Sequence, residues 1–258
     1  MKKYILSVVI FLLALGTGFW IAGHKPLWND EIFTTVSSVH HQSFWAMIQG
    51  HIPEGGNAPL FYILQKAVIA VTGYQVHPPW IAGDWGTKDP TGQWVLRIIP
   101  VVSMSLSIAL LFHFFAVYYS RLSAFLSVFI YLSSYMLWVY WAEARPYALF
   151  VLLTTMQLLL LVKRIVLKDE RPDVLRGLCL VHVLLALTSI LSFGQILAAG
   201  VVLWGSSLKD RRWHAGLLMV PLLIIAYYYS QAPRFAVYFD LSPEQLIRDN
   251  ISRDRFYI

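Results

Sequence analysis

Long apolar runs alternate with short polar segments along this chain, and their lengths predict membrane-spanning helices. The first run extends from Tyr4 to Gly23, and about 20 residues suffice to cross a bilayer core. The run from Leu178 to Leu208 contains about 30 residues, more than one membrane span needs. Polar residues interrupt its middle, so we interpret it as a hairpin of two short helices. The remaining runs are Val95 to Tyr119, Leu122 to Trp141, Tyr147 to Val162 and Trp213 to Ser230. The pattern predicts an all-α polytopic membrane bundle of about seven spans.

A long mixed segment, residues 24–94, separates the first two predicted spans. It contains one apolar stretch, Leu60 to Thr72, which Gln65 and Lys66 interrupt. That stretch is shorter than the roughly 17 residues needed for a span, and such segments are more often buried or interfacial helices. We therefore expect a long first loop that carries membrane-surface helices.

The composition supports a membrane protein. Hydrophobic residues make up 58% of the chain and charged residues 13%, against roughly 25% charged residues in an ordinary soluble domain. The net charge of +6 arises largely from short loops between apolar runs, which is typical of membrane orientation and not of nucleic-acid binding. The single cysteine, Cys179, provides neither a disulfide framework nor a cysteine metal site.

The distribution of basic residues predicts the orientation of the chain. Lys2 and Lys3 precede the first run, which continues through Phe19-Trp20-Ile21 beyond the usual apolar length of a cleaved signal peptide. We expect a retained anchor in the cell (inner) membrane, with the N-terminus cytoplasmic. If Leu60 to Thr72 does not cross, the cytoplasmic side receives most basic residues: Lys2, Lys3, Arg121, Lys163, Arg164, Lys168, Arg171, Arg176, Lys209, Arg211 and Arg212.

The same orientation places two acidic loops on the outer side. One loop contains the adjacent acids Asp30 and Glu31, and the other contains Glu143 and Arg145. Carboxylates are costly in hydrocarbon, so these acids lie in water or in a protein-lined site. A solvated acidic pair that marks a helix end is the simpler interpretation of Asp30-Glu31.

Two arginines, Arg97 and Arg145, are exceptions to the inside bias of the basic residues. A guanidinium binds phosphate or carboxylate with two parallel hydrogen bonds, so both are candidate ligands for an anion. Alternatively, Glu143 and Arg145 form a local ion pair at a helix start, where Pro146 takes a first helical position.

The histidines do not predict a metal centre. His40, His41 and His51, the last near Glu54, lack a helical i, i+4 pair with a third ligand. His113 and His182 lie within apolar runs and are expected to be packed or hydrogen-bonded helix residues.

Four motifs in their order and spacing resemble those of the polyprenyl-phosphate-sugar-dependent membrane glycosyltransferases, which include protein O-mannosyltransferases and aminoarabinose transferases of lipid A. The resemblance covers roughly residues 20–230. The motifs are Asp30-Glu31, Asn57-Ala58-Pro59-Leu60-Phe61-Tyr62, Trp94-Val95-Leu96-Arg97-Ile98-Ile99-Pro100 and Trp141-Ala142-Glu143-Ala144-Arg145-Pro146-Tyr147-Ala148-Leu149.

This resemblance implies a sugar donor carried on a polyprenyl phosphate and a glycan, lipid or protein acceptor at the outer face. It implies that Asp30 is the catalytic base, assisted by Glu31. Arg145, and after it Arg97, would bind the donor phosphate, while Glu31 or Glu143 would orient the acceptor or hold an arginine. Tyr147 and Asn57 complete the expected substrate-binding residues. Trp28, Trp141 and Tyr147 either stack on the sugar or lie in the aromatic belt of the membrane interface.

The chain departs from the family pattern at three places. Asn57-Ala58-Pro59 stands where relatives commonly have His-Pro-Pro or Lys-Pro-Pro, and Ser189 to Phe193 replaces a frequent His-Tyr. Relatives are also usually longer, so we interpret 1–230 as the transferase-like domain and 231–258 as the outer-side start of a missing C-terminal part. The alternative function is a non-catalytic membrane protein: a transporter, a lipid-binding partner or an inactive truncated relative.

Overall fold

The computed structural model describes residues 2–54, 56–205 and 215–235, and within these ranges the protein is all-helical without a strand. Two segments adopt the wider π-helical winding, Thr34–His40 and Ala215–Met219. The α-helices are α1 (Lys2–His24), α2 (Asn29–Phe33), α3 (Phe44–Ile48), α4 (Leu60–Thr72), α5 (Pro78–Ile81), α6 (Pro90–Val95), α7 (Ile98–Tyr118), α8 (Arg121–Leu132), α9 (Tyr135–Trp141), α10 (Tyr147–Ile165), α11 (Pro172–Ala186), α12 (Ser192–Gly205) and α13 (Val220–Phe235). Of the predicted polar segment 231–258, residues 236–258 lie outside the described residues.

Three helical segments are long and apolar enough to cross a membrane, namely α1, the stretch Pro90–Tyr118 that contains α6 and α7, and α10. The predicted run Leu122 to Trp141 is two helices, α8 and α9, bent by 80°, which together make a fourth candidate if they form one span. The helices α11, α12 and α13 have 15, 14 and 16 residues, fewer than the roughly 17 that a span needs. The predicted count of about seven spans is therefore not confirmed for the described part of the chain.

The bundle is built around α7. In the most apolar 18 residues of the stretch Pro90–Tyr118, which contains α7, 67% of the residues are buried. The corresponding fraction in α1 is 17%. The helices α1, α8 and α10 all pack against it. Apolar side chains such as Val101, Met104 and Phe112 fill these interfaces and are fully buried.

The two helices and the intervening turn predicted for Leu178 to Leu208 are present, although the first helix begins earlier than expected and residues 206–208 lie outside the described residues. Helix α11 starts at Pro172, and residues 187–191 form the turn before α12. His182, inside α11, lies 2.9 Å from the Gln157 side chain and 2.7 Å from the Leu217 carbonyl oxygen. His113 likewise lies 3.0 Å from the Ser7 hydroxyl. Both histidines are packed and hydrogen-bonded, as predicted.

Helix α4 does not carry the chain to the opposite end of the bundle. Its Lys66 amino group donates hydrogen bonds to the carbonyl oxygens of Val39 and Gln42, at 2.8 and 2.7 Å. Glu31, before α4, and Arg97, after it, contact each other directly. The chain therefore enters and leaves the first long loop at one end of the bundle, which we call the Asp30 end. This arrangement agrees with a helix that does not cross, and the position of α4 relative to the membrane stays a prediction.

Candidate active site

The two acidic loops, one with Asp30 and Glu31 and the other with Glu143 and Arg145, meet at the Asp30 end. Arg145 Nη1 donates a hydrogen bond of 2.8 Å to Asp30 Oδ2, and its Nη2 donates one of 3.3 Å to Glu54 Oε2. The guanidinium carbon also lies 5.1 Å from the centre of the Tyr147 ring, a cation–π contact. The Asp30 side chain is 50% exposed, whereas that of Glu54 is 7% exposed. Arg145 thus joins a carboxylate open to solvent with one that is buried.

Local structure places Asp30 and Arg145 where they can meet. Asp30 lies in the first turn of α2, where the partial positive charge of the helix N-terminus favours an anion. Arg145 precedes Pro146, which immediately precedes α10. The backbone amide of Arg145 donates to the Glu143 carbonyl oxygen at 2.7 Å. This tight turn directs Arg145 to Asp30 and Glu54, so the ion pair is between loops and not local to Glu143.

Glu31 and Arg97 form a buried ion pair beneath these groups. Arg97 Nε donates to Glu31 Oε1 at 3.0 Å, and Nη2 donates to Oε2 at 2.7 Å. Both side chains are fully buried. The other three Arg97 N–H groups donate to the carbonyl oxygens of Ala22, Lys25 and Pro26.

All five donors of Arg97 are therefore occupied. Glu31 also accepts hydrogen bonds from the backbone amides of Trp28 at 3.2 Å and Ala144 at 2.6 Å. One carboxylate thereby connects the start of α2, the start of α7 and the loop before α10. This geometry gives the pair a structural role that positions Asp30 and Arg145.

Glu54 is the centre of a buried polar cluster. The Ser38 hydroxyl donates to Glu54 Oε1 at 3.1 Å. Burial raises the pKa of Glu54, while Thr34, Arg145 and Ser38 partly oppose that rise. The hydroxyl groups of Thr34 and Tyr62 adjoin the Glu54 carboxylate, yet neither makes a hydrogen bond of ordinary geometry.

Three buried atoms of this cluster with incomplete hydrogen bonding indicate a site for a polar ligand. Thr34 Oγ1, Tyr62 OH and Arg145 Nε are buried, and none of them makes a hydrogen bond of ordinary geometry, although the two hydroxyls adjoin Glu54. Buried polar groups in folded proteins nearly always have a partner, which is protein, water or ligand. A polar group of a substrate would complete the hydrogen bonding of these three atoms, which surround one carboxylate and one guanidinium. The π-helical segment Thr34–His40 supplies Thr34 and Ser38, and such windings occur frequently at functional sites.

Asn57 belongs to the same region through a loop contact. It pairs with Ser189 in an isolated backbone bridge, and the Ser189 hydroxyl donates to the Gly56 carbonyl oxygen at 3.1 Å. Its side chain also adjoins the Tyr62 hydroxyl. The turn between α11 and α12 therefore fixes the loop that carries Asn57 beside the Glu54 cluster.

An apolar groove lies next to that turn. It has a volume of about 490 Å³ and runs between α12 and α13. Ile190, Phe193, Leu222 and Tyr229 are among its lining residues. The groove brings an apolar surface close to the polar cluster at the Asp30 end.

Glu143 is buried beside the ion pairs. Burial raises its pKa to about 7, an effect that Lys25 opposes and the neighbouring Glu31 reinforces. A carboxylic acid with this pKa exchanges its proton near neutral pH. Trp141, in contrast, is buried and packs on Gly18, so the expectation that it stacks on a sugar or lies in an interface belt is wrong.

The structure brings together Asp30, Glu31, Arg97, Glu143, Arg145 and Tyr147, and it links Asn57 to them through Tyr62 and Glu54. Sequence reasoning missed the role of Glu54 and of its neighbours Thr34, Ser38 and Tyr62. The available signal was weak: Glu54 is an acid within the turn-rich stretch 53–59. Among the residues that the structure describes, no three His, Cys, Asp or Glu side chains are grouped to hold a metal ion.

In its described residues this is an all-helical protein that has helices long enough to span a membrane and a charged cluster at one end of the bundle. No family model, curated protein or solved structure matches the chain. A more particular assignment therefore depends on the four motifs and on the geometry of the cluster.

Proposed function

We propose that this protein is a membrane glycosyltransferase that moves a sugar from a polyprenyl-phosphate carrier to an acceptor at the outer face. The observation that carries the proposal is the contact of Arg145 with half-exposed Asp30. A carboxylate with access to solvent is suited to accept a proton from an incoming acceptor. A guanidinium next to it is suited to bind the phosphate of the donor.

In the proposed reaction, an acceptor oxygen or nitrogen attacks the anomeric carbon and its proton passes to Asp30. The bond between that carbon and the phosphate oxygen breaks, and its electron pair leaves with the lipid phosphate. Arg145 stabilises the charge that develops on this phosphate. Glu143 orients the acceptor, while Glu31 and Arg97 hold the loops in place.

Two further features support a lipid-linked donor. The atoms Thr34 Oγ1, Tyr62 OH and Arg145 Nε, which make no hydrogen bond of ordinary geometry, provide polar contacts for a sugar or phosphate group. The groove between α12 and α13 is apolar and borders the turn that holds the Asn57 loop, so it suits the lipid chain. The same groove also favours the second candidate function, a lipid-binding protein without transfer activity.

The experiment compares the wild type with Asp30→Asn in membrane vesicles. Mass spectrometry of lipid-linked sugars and glycoconjugates in cells with and without the protein first identifies the donor and the product. Transfer is then measured in vesicles, and Asp30→Asn is expected to lower it by a factor of about 100 or more because general base catalysis is lost.

The matched control is Asp84→Asn, since Asp84 is an exposed acid of the same long loop whose Oδ1 accepts from the Gly86 amide. It should transfer at the wild-type rate. Wild-type transfer by Asp30→Asn would remove Asp30 from the mechanism, and donor binding without any transfer in the wild type would favour the lipid-binding alternative.

A further inference from the structure

A second groove lies at the opposite end of the bundle, between the start of α1 and the ends of α7 and α10. Its volume is about 310 Å³. Its walls are mainly apolar, and Tyr4, His113, Tyr118 and Lys163 place polar atoms along it. We call it the Lys163 groove. It is separate from the Asp30 end, because α7 and α10 both begin at that end and reach the groove with their final turns.

Lys163 provides a positive charge within this groove. Its amino group lies 5.3 Å from the centre of the Tyr118 ring, and it makes no ion pair with any described carboxylate. Other basic side chains nearby are engaged: Arg171 pairs with Asp169 and Arg176 with Asp173. Lys163 is thus a partly buried cation without an ion pair in the described chain, and Asp169, whose carboxylate interacts with it at longer range, is already paired with Arg171.

The surroundings of the groove are positively charged. Between residues 121 and 176, the loops and helix ends on this side carry six basic residues against three acidic ones: Arg121, Lys163, Arg164, Lys168, Arg171 and Arg176 against Asp169, Glu170 and Asp173. Basic pockets between membrane helices on the positively charged side bind anionic lipid head groups. The charge at this end therefore complements an anion.

We propose that the Lys163 groove binds an anionic phospholipid of the membrane leaflet at this end. Its phosphate would lie on the Lys163 amino group, and an acyl chain would lie along the apolar wall that includes Met156 and Leu160. Tyr4 and Tyr118, residues that are 64% and 40% exposed, offer their hydroxyls to the head group. A free phosphate ion would leave the apolar wall uncovered. This site is independent of the proposed transferase reaction.

Native mass spectrometry of the full chain in detergent tests the proposal. Phosphatidylglycerol and phosphatidylcholine with the same acyl chains are offered in equal amounts, with and without inorganic phosphate as a competitor. The wild type is expected to prefer phosphatidylglycerol by about fivefold, the ordinary effect of one basic residue at a membrane surface. Lys163→Gln should abolish the preference.

The matched control is Lys168→Gln, which removes the same charge from an exposed residue that does not line the groove. It should retain the preference. Val117→Trp, which fills the groove, should reduce binding of both lipids, with circular dichroism as the check that the variant is folded. Equal losses of preference in Lys163→Gln and Lys168→Gln would show only general charge attraction and would overturn the proposal. Competition by millimolar phosphate would also overturn it. So would undiminished lipid binding by folded Val117→Trp.

Discussion

The Glu31–Arg97 pair shows how a single buried contact organises the Asp30 end. Removing two charges from water is costly, and the attraction between them compensates only when further hydrogen bonds complete the arrangement. Here the carboxylate also accepts from two backbone amides and the guanidinium donates to three carbonyl oxygens. The pair therefore stabilises a particular arrangement of loops, and removing one partner leaves an uncompensated buried charge.

We expect Arg97→Met to destabilise the protein by about 3–5 kcal/mol, the usual effect of breaking a buried ion pair. Thermal unfolding of the detergent-solubilised protein measures this change. Arg176→Met is the control, because the Arg176–Asp173 pair is exposed on both sides and such pairs contribute about 0–1 kcal/mol. Equal stability of the two variants would show that the buried pair does not hold the loops together.

Glu143 predicts a pH dependence of stability. Its folded-state pKa is raised from 4.5 to about 7, chiefly by burial, so between these values the folded state binds more protons than the unfolded state. The contribution of Glu143 to stability should then be fully present below about pH 4.5 and be lost as the pH rises through about 7. Unfolding temperatures at pH 5 and pH 7.5 test this, and Glu143→Gln should show a smaller decrease between them. An unchanged decrease in this variant would assign the effect to other groups.

At the scale of the helix, close packing depends on particular small residues. A Cβ atom at Gly18 would lie 2.5 Å from Trp141 Nε1 and 2.8 Å from Val101 Cγ1. Both neighbours are fully buried, so neither has space to move away. Small residues at membrane helix interfaces allow such close approach.

We expect Gly18→Ala to lower the stability of the α1–α7–α9 interface by about 1–3 kcal/mol, the usual range for overpacking. Gly16→Ala, two residues earlier in the same helix, adds a methyl group where nothing lies within 4 Å. It should be neutral or slightly stabilising, since alanine favours a helix more than glycine does. Equal unfolding temperatures of the two variants would contradict the packing described for α1.

The sequence predicted helices better than it predicted their contacts. Run lengths identified α1, α7 and α10, and the polar residues near Ser189 predicted the turn between α11 and α12. The bend between α8 and α9 was missed because Ser133-Ser134 interrupts a run whose hydropathy alone suits one helix. The sequence could not predict the pairing of Glu31 with Arg97 either, because two partners that are 66 residues apart leave no local sequence pattern.

For the whole molecule, charge separates the two ends of the bundle. Carboxylates gather at the Asp30 end, whereas basic residues surround the Lys163 groove at the other. Basic loops favour the cytoplasmic side, so the Asp30 end is predicted to face outward. The contact between Asp30 and Arg145 confirms that their loops share an end, and the side of the membrane is a separate prediction.

Cysteine labelling in intact cells tests that orientation. In a Cys179→Ser background, Lys88→Cys at the Asp30 end should react with a membrane-impermeant maleimide, while Lys168→Cys should react only after detergent is added. Both residues are exposed, so a difference in labelling reports the membrane side. Labelling of Lys168→Cys alone in intact cells would reverse the orientation and place the proposed reaction in the cytoplasm.

The contacts of Glu31 also bear on how the protein is made. The carboxylate emerges from the ribosome early, but its partners Arg97 and Ala144 follow 66 and 113 residues later. Until both have been synthesised, an acidic side chain that ends in a dry interior lacks its counterion. The loops of the Asp30 end are therefore expected to close around Glu31 only after residue 144 has been synthesised.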